Sequence, residues 1–265
     1  MNVLCIDIGN TSTHYGVLEG RRVLWEERFP TRLLKASQGA MAQRIERLKA
    51  RGLEWEGVAF CAVVPAAAEV LWVQLQGLHE PVFQLTYDDC PGLPVNYPKP
   101  EEIGQDRLAN AIGAQMEFGT PVVVLDMGTA VTLDVMSVRG GYEGGLIVPG
   151  LRMMTDYLHE RTALLPALEI EGIKRVRAGV GVGKSTVEAM RVGCRLGFVA
   201  MIRALIDAGL RDLRKLGEIN PEVVATGGDW GCLLECCGDV RFDPLLTLKG
   251  LSEALERRMR GKGFE

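Results

Sequence analysis

The chain has 265 residues, a formal net charge of −4 at pH 7 and 47% hydrophobic residues. A chain of this length can bury a sizeable core, in one large domain or in two smaller ones. Glycine is over-represented, at 32 of 265 residues against a usual share of roughly 7%, but no G-X-Y period indicates collagen.

The distribution of charged and apolar residues argues against nucleic-acid binding, membrane insertion and secretion. Acidic and basic residues are mixed along the chain, without the basic stripe expected of a nucleic-acid-binding protein. The longest uncharged apolar run, 57–68, is too short to span a bilayer. The N-terminal residues do not resemble a signal peptide, and the seven scattered cysteines favour a reduced, cytoplasmic protein. Three of them lie close together, but no CxxC pair or nearby histidine predicts zinc: Cys232, Cys236 and Cys237.

The first half of the sequence predicts mostly strands, followed by a proline-rich loop and a helix. Short apolar runs separated by turn residues predict strands over 2–7, 13–19, 22–29 and 57–64. Apolar residues at helical spacing predict a helix over 39–51, and Pro65 suits the first turn of another. Four prolines in 91–100 predict a loop, and the helix after it has 104–107 at or near its first turn.

The second half opens with the same arrangement of strands and turns. Residues 121–127 form an apolar run that ends near an aspartate, and two further strands are predicted between there and Gly150. A long helix is predicted over 188–208, a short strand over 222–226 and a terminal helix over 250–260. That strand ends in TGGD, in which Thr226, Gly227 and Gly228 form a turn by default, or a nucleotide-contacting loop by position.

An internal repeat is the most informative feature of this organisation. Residues 6–11 and 125–130 share the pattern apolar-Asp-apolar-Gly followed by small residues, and the two aspartates are 119 positions apart. Each copy follows a predicted strand and precedes another. A spacing of nearly half the chain predicts two similar α/β lobes, with boundaries at 1–118 and 119–265, and not a solenoid of short repeats.

The two turns that follow these aspartates are candidate phosphate-binding sites. An aspartate at the end of a strand can orient hydrated Mg²⁺, and a following glycine lets backbone N–H groups approach a phosphate. Thr129 and Thr132 add hydroxyl donors in the second copy. Two such turns can hold a polyphosphate and its cations, as phosphoryl transfer requires. The alternative is a pair of β-hairpins without function.

A third candidate is the segment GQDR, residues 104–107, at the start of a predicted helix. Asp106 can act as a general base toward a hydroxyl group, and Arg107 can bind an anionic part of the acceptor. Asp106 can equally be a helix N-cap without a catalytic role. The preceding proline-rich loop favours a substrate site.

Residues 178–186, AGVGVGKST, resemble the P-loop pattern GxxxxGK[ST], but Ala178 stands where its first glycine belongs. The residues before it do not form an apolar strand, so we do not expect a P-loop. A substrate-side or interface loop at a helix N-terminus fits better, with Thr186 as a donor. The three histidines form no spaced cluster.

Taken together, these segments resemble the type III pantothenate kinases, of the acetate kinase, sugar kinase, Hsp70 and actin superfamily. The resemblance extends nearly from end to end, and Ser185, where the family often has Asn, is a small departure. Its motifs are DIGNT at 7–11, GQDR at 104–107, DMGTAVT at 126–132, GGLIVPG at 144–150, LLP at 164–166 and GKSTVEAM at 183–190.

The resemblance implies two ribonuclease H-like, actin-like ATPase lobes with mixed sheets flanked by helices, an active-site cleft between them, and a homodimer. It implies ATP-dependent phosphorylation of pantothenate to 4′-phosphopantothenate, with Asp106 as the base. Asp126 would bind K⁺ or NH₄⁺, and Asp7 would hold the Mg²⁺ of ATP, directly or through water. ATP would be bound by Asp7, Ile8, Gly9, Asn10, Thr11, Ser12, Thr13, His14 and Thr129. Pantothenate would be bound by Tyr97, Gly104, Gln105, Asp106, Arg107 and Thr186.

Two other functions stay open at this point. The family includes members described as transcriptional accessory factors, so a non-catalytic regulator is one alternative. A superfamily enzyme with another acceptor, or with phosphatase activity, is the other. The intact acidic turns and GQDR segment favour the kinase.

Overall fold

A computed structural model describes residues 1–36, 39–176, 179, 181–228 and 240–262. The chain divides into two compact units. Unit 1 comprises Met1–Gly119 and Leu245–Glu265, and unit 2 comprises Thr120–Pro244.

The described elements alternate between strands and helices in both units. The strands are β1 Asn2–Ile8, β2 Ser12–Glu19, β3 Arg22–Pro30, β4 Gly57–Ala62, β5 Val82–Gln84, β6 Val122–Met127, β7 Ala130–Ser137, β8 Gly141–Pro149, β9 Glu222–Thr226 and β10 Arg241–Phe242. The α-helices are α1 Thr31–Ala36, α2 Ala40–Ala50, α3 Pro65–Leu75, α4 Gln105–Phe118, α5 Leu151–Glu160, α6 Ile170–Lys174, α7 Thr186–Lys215 and α8 Leu246–Lys262, and Pro100–Glu102 forms a 3-10 helix.

The sheets of the two units have the same topology. In unit 1 the order is β3-β2-β1-β4-β5, and in unit 2 it is β10-β9-β6-β7-β8, which is the same order read from the other edge. In each unit the first three strands are antiparallel neighbours, whereas the last two join in parallel. The sequence repeat at 6–11 and 125–130 therefore corresponds to a repeated supersecondary unit. This confirms the prediction of two ribonuclease H-like lobes with mixed sheets flanked by helices.

Each unit has its own hydrophobic core, built where helices cover the apolar face of the sheet. In unit 1, strand residues such as Leu4, Ile6 and Phe60 are fully buried among apolar side chains of the helices. In unit 2, Val123 and Leu125 are buried in the same way against α7 residues such as Phe198. The nearly continuous apolar runs in β1, β4 and β6 follow from this burial.

The C-terminal helix α8 packs in unit 1, whereas the sequence prediction put residues 245–265 in the C-terminal lobe. Thr247 Oγ1 donates a buried hydrogen bond of 2.7 Å to Asn110 Oδ1 of α4. Arg257 Nη1 donates to Gln115 Oε1 at 2.7 Å, also on α4. The apolar face of α8 is plain in the sequence, but the pattern does not say which sheet that face covers.

Most predicted elements lie within a few residues of their expected positions. The strand predicted over 222–226 matches β9, and Pro65 occupies the first turn of α3 as expected. The helices predicted over 188–208 and 250–260 are longer than expected, extending over 186–215 and 246–262. Residues 170–174 form a helix, and the described residues between it and the GKST segment form no strand of the kind that a P-loop follows. Ala178, Asp229 of the TGGD segment and the cluster Cys232, Cys236 and Cys237 lie outside the described residues.

No helix in the described ranges combines the length and the apolar character needed to cross a membrane.

Candidate active site

The first candidate phosphate site is the turn at 9–11 between β1 and β2. Gly9 N donates to Ser12 O at 3.1 Å, which closes the turn. Thr31, at the start of α1, is fully buried beneath it: its Oγ1 donates to Gly9 O at 2.7 Å, and its backbone N donates to Thr11 O at 3.0 Å. Asn10 and Thr11 are exposed at the tip. The turn is thus held from the protein side and presents polar groups to solvent.

Asp7 lies near the end of β1, beside a buried thiol. Its register partners are His14 on β2 and Cys61 on β4, so the three side chains share one face of the sheet. Cys61 Sγ donates a hydrogen bond of 3.4 Å to Asp7 Oδ1. Burial, and then the negative charges of Asp7 and Asp106, raise the pKa of the Cys61 thiol. The thiol therefore stays protonated and acts as a donor that orients the Asp7 carboxylate.

Asp106 lies in the first turn of α4, close to the same thiol. Its Oδ1 accepts the backbone N–H of Arg107 at 2.8 Å. Burial raises the pKa of Asp106, and the bond from the Arg107 N–H and the Arg107 charge oppose this only in part. Gly104 leaves room for this carboxylate, since a Cβ on Gly104 would lie 2.6 Å from Asp106 Oδ1. The result is a half-buried carboxylate with raised proton affinity, which suits a general base.

Gln105 attaches the start of α4 to the end of β4. Its Oε1 accepts hydrogen bonds from Ala62 N at 2.9 Å and from Gln84 Nε2 at 3.2 Å. Because Ala62 directly follows Cys61, this attachment brings Asp106 to the sheet edge where Asp7 lies. Gln84 is a supporting residue that the sequence analysis missed. Only the pairing of β4 with β5 would have indicated it.

Three of the predicted ATP-binding residues have side chains that are buried inside unit 1. Ile8 is fully buried in the core, and Thr13 Oγ1 lies 3.1 Å from Thr31 Oγ1. His14 Nε2 lies 2.8 Å from Glu26 Oε2. Burial and the nearby charge of Arg28 lower the pKa of His14 to about 4, although Glu26 acts in the opposite direction. The imidazole is therefore neutral at pH 7.

The remaining predicted pantothenate-binding residues of unit 1 are Tyr97 and Arg107. Tyr97 is half-buried in the loop before the 3-10 helix. Arg107 is largely buried on α4, with 8% of its surface exposed. A buried guanidinium at a helix start is suited to binding an anion or a carbonyl group of a substrate.

In unit 2, three oxygen-bearing side chains share one row of the sheet. Asp126 on β6 pairs with Thr132 on β7 and with Thr226 on β9, so the three side chains are on the same face. Thr132 Oγ1 is buried and has no hydrogen-bond partner among the described residues. Thr226 is 2% exposed. A carboxylate beside a hydroxyl without a hydrogen-bond partner offers oxygen ligands of the kind that hard cations prefer.

The second turn, at Gly128 and Thr129, is enclosed by backbone from two directions. Gly150 N donates to Thr129 O at 3.1 Å. Gly227, at φ +93°, lies so close that a Cβ on it would come within 2.6 Å of the Met127 backbone. Glycine is required there by both the positive φ and the close approach. Thr129 itself is exposed.

Thr186 is exposed in the first turn of the long helix α7. Two side chains cap the helix start: Ser185 Oγ accepts Glu188 N at 3.2 Å, and Glu188 Oε2 accepts Lys184 N, just before the N-cap, at 2.8 Å. The departure at Ser185 therefore has a structural role. Thr186, Thr129 and Asp126 belong to unit 2, whereas the other predicted site residues belong to unit 1.

Comparison with known proteins assigns a family to this arrangement. Residues 3–208 match the model of the family described as type III pantothenate kinase. A type III pantothenate kinase from Akkermansia muciniphila is 39% identical over 258 residues, which are 95% of this chain and 97% of that protein. One from Methylacidiphilum infernorum is 37% identical and covers 97% of this chain and 90% of that protein.

A solved structure supports the fold independently. The match to the ROK hexokinase from Thermus thermophilus covers 98% of this chain and 100% of the hexokinase chain, with a TM-score of 0.52 and 18% sequence identity. At that identity the likeness bears on the fold alone.

Proposed function

The chain belongs to the type III pantothenate kinase family, and from this premise we propose that it transfers the γ-phosphate of ATP to pantothenate. The product is 4′-phosphopantothenate, formed in the first step of coenzyme A biosynthesis. The observation that carries the proposal within this chain is the half-buried Asp106, whose pKa burial raises, at the sheet edge that also holds Asp7.

Asp106 is the proposed general base. As the primary hydroxyl oxygen of pantothenate attacks the γ-phosphorus, its proton passes to the Asp106 carboxylate. The bond from the γ-phosphorus to the bridging oxygen breaks, and ADP leaves with that electron pair. A raised pKa strengthens the carboxylate as a proton acceptor.

The turn after β1 is the proposed site for the ATP phosphates. Gly9, Asn10, Thr11 and Ser12 would bind them through backbone N–H groups and exposed side chains. Ile8, Thr13 and His14 would contribute backbone, because their side chains are buried. Asp7 would hold Mg²⁺, which neutralises charge that develops on the phosphates when bound. Thr129, exposed in unit 2, is proposed as a further ATP contact.

Asp126 is the proposed ligand of a monovalent cation, K⁺ or NH₄⁺. Thr132 and Thr226, its neighbours in the same sheet row, fit this role because hydroxyl oxygens complete a set of hard ligands. Such a cation would neutralise the carboxylate and stabilise the adjoining turn. Its effect should appear as stimulation of activity by K⁺ or NH₄⁺ compared with larger organic cations.

Pantothenate is proposed to contact Tyr97, the segment 104–107 and Thr186. Within that segment the roles differ. Arg107 would bind the substrate directly, whereas Gln105 would act as a positioning residue, because its Oε1 already accepts two hydrogen bonds. We further propose a homodimer that acts in the cytoplasm, without nucleic acid or membrane as partner.

The test is a coupled assay of ADP release, with and without pantothenate, at fixed Mg²⁺ and K⁺. Pantothenate-dependent release, with phosphorylated product identified by mass spectrometry, is the expected result. Release that depends on a different acceptor in a panel of alcohols would reassign the substrate. No acceptor-dependent release with any nucleotide and cation would favour the non-catalytic alternative.

A further inference from the structure

A cavity of ≈ 570 Å³ opens beside the candidate phosphate turn in unit 1. Turn residues 10–12 line one side of it, and three basic residues line the other: Arg28, Arg32 and Lys35. Arg28 is on β3, and the other two are on α1. The sequence analysis assigned no role to any of the three.

The geometry of α1 directs two of these cations into the same space. Arg32 and Lys35 are three positions apart, so they share one face of the helix. Thr31 and Leu34 occupy the opposite, buried face. Both basic side chains are exposed, and neither has an acidic partner within the described residues.

Arg28 reaches the cavity from the sheet. Its register partner on β2 is His14, whose pKa its charge helps to lower. The register also pairs Pro30 with Ser12, so the end of β3 lies alongside the phosphate turn. The three cations thus converge from two elements on the rim of one turn.

The charge of this cavity is unusual for the molecule. The chain as a whole has a net charge of −4, yet the described lining of the cavity includes three cations and no acidic residue. Like charges held together repel one another, and an anion relieves this repulsion. Arginine guanidinium groups match phosphate oxygens in geometry, and Asn10 and Thr11 add neutral donors to the same cavity.

We propose that Arg28, Arg32 and Lys35 extend the phosphate turn into a polyphosphate-binding site that captures the phosphate chain of the nucleotide. A polyphosphate presents several anionic groups along its length to these three side chains, whereas a single carboxylate, such as that of pantothenate, presents only one. This inference rests on the proposed function, since it assigns further nucleotide contacts to the same turn.

The test measures binding without turnover. Titration calorimetry with inorganic phosphate, with inorganic tripolyphosphate and with ADP compares wild type, the double variant Arg32→Gln/Lys35→Gln and the single variant Arg28→Gln. The matched control, Arg22→Gln/Lys49→Gln, removes the same charge as the double variant at exposed positions that do not line the cavity. Circular dichroism melting confirms that each variant is folded.

We expect the double variant to bind tripolyphosphate about tenfold more weakly than wild type, because it loses two charge-assisted contacts screened by solvent. Arg28→Gln should weaken binding several-fold, and the control should stay within about twofold of wild type. High salt should reduce the difference in tripolyphosphate affinity between wild type and the double variant, because salt screens the charges. In the kinase assay the double variant should raise KM for ATP and not KM for pantothenate.

Several results would overturn the proposal. Equal tripolyphosphate affinity in wild type and the double variant would show that Arg32 and Lys35 do not bind polyphosphate. Equal affinity of wild type for single phosphate and for tripolyphosphate would show a site for free phosphate instead of a chain. A raised KM for pantothenate with unchanged tripolyphosphate binding would assign the cavity to the acceptor carboxylate. If the binding results hold but no pantothenate-dependent ADP release occurs, the polyphosphate site stands and the proposed function fails.

Discussion

The substitution Asp106→Asn tests the proposed base with the least disturbance of the structure. Asn has the same shape as Asp, and its Oδ1 can still accept the backbone N–H of Arg107, which lies 2.8 Å away in the native protein. What the variant loses is the ability to take a proton from the acceptor hydroxyl. A positioned general base contributes about 10²- to 10⁴-fold, so kcat/KM should fall by that factor, or about 3–5 kcal/mol of transition-state stabilisation.

The same substitution should leave the fold intact and even favour it at neutral pH. Burial raises the pKa of Asp106, so the ionised carboxylate is less favourable in the folded than in the unfolded chain. At pH values above roughly 3.9, the pKa of an aspartate in the unfolded chain, Asp106 therefore lowers the free energy of unfolding. This lost stability is recovered as the pH falls through the raised pKa of Asp106 in the folded chain. The asparagine side chain carries no charge, so the unfolding free energy of the variant should equal or exceed that of wild type at pH 7.

Two assays separate these effects. The ADP-release assay gives kcat/KM, and urea unfolding at pH 4 and pH 7 gives the free energy of unfolding. The exposed Asp207→Asn on α7 is a matched control that should change neither. The acid limb of wild-type kcat/KM should lie above the ordinary aspartate range. Turnover in Asp106→Asn within about tenfold of wild type would refute the assignment of Asp106 as base.

Three further predictions concern the residues that support the site. Gly104→Ala would place a Cβ 2.6 Å from Asp106 Oδ1, so we expect a fall in kcat with little change in KM for ATP, and unchanged kcat would contradict the contact. Thr31→Val removes the donor to Gly9 O at 2.7 Å and should cost about 1–3 kcal/mol in urea unfolding and raise KM for ATP. An unfolding free energy equal to that of wild type would show that Thr31 does not hold the turn. Asp126→Asn should abolish stimulation by K⁺ when activity is titrated with KCl, and retained stimulation would move the cation site elsewhere.

The sequence carried enough local information to predict the architecture of each half. Strand 222–226 and the helix starting at Pro65 are visible in hydrophobic runs and turn residues alone, because a buried strand or a helix start imposes its pattern on neighbouring positions. The repeat at 6–11 and 125–130 predicted two similar lobes, and the two sheets have the same strand order. The short elements α1, β5, α6 and β10 have too few residues to show a period.

The sequence also indicated which residues to suspect at the site, because their chemistry is recognisable in DIGNT, GQDR and DMGTAVT. What remained for the tertiary structure was their environment. The raised pKa of Asp106, the thiol of Cys61 beside Asp7 and the two hydrogen bonds on Gln105 depend on residues distant along the chain.

For the placement of α8 and for the basic cavity, too, the sequence shows the residues and only the tertiary structure shows where they lie. An apolar helix face predicts that a surface is buried, but not whether that surface belongs to the first or the second lobe. Arg28, Arg32 and Lys35 are visible in the sequence as ordinary exposed cations. They meet at one turn because of the register of β3 on β2 and because of the face that α1 turns toward that turn. Both features depend on packing against other elements, which a local sequence pattern does not show. Sequence alone thus determined the fold and the candidate groups, and tertiary contacts determined their charge states and the space that a ligand can occupy.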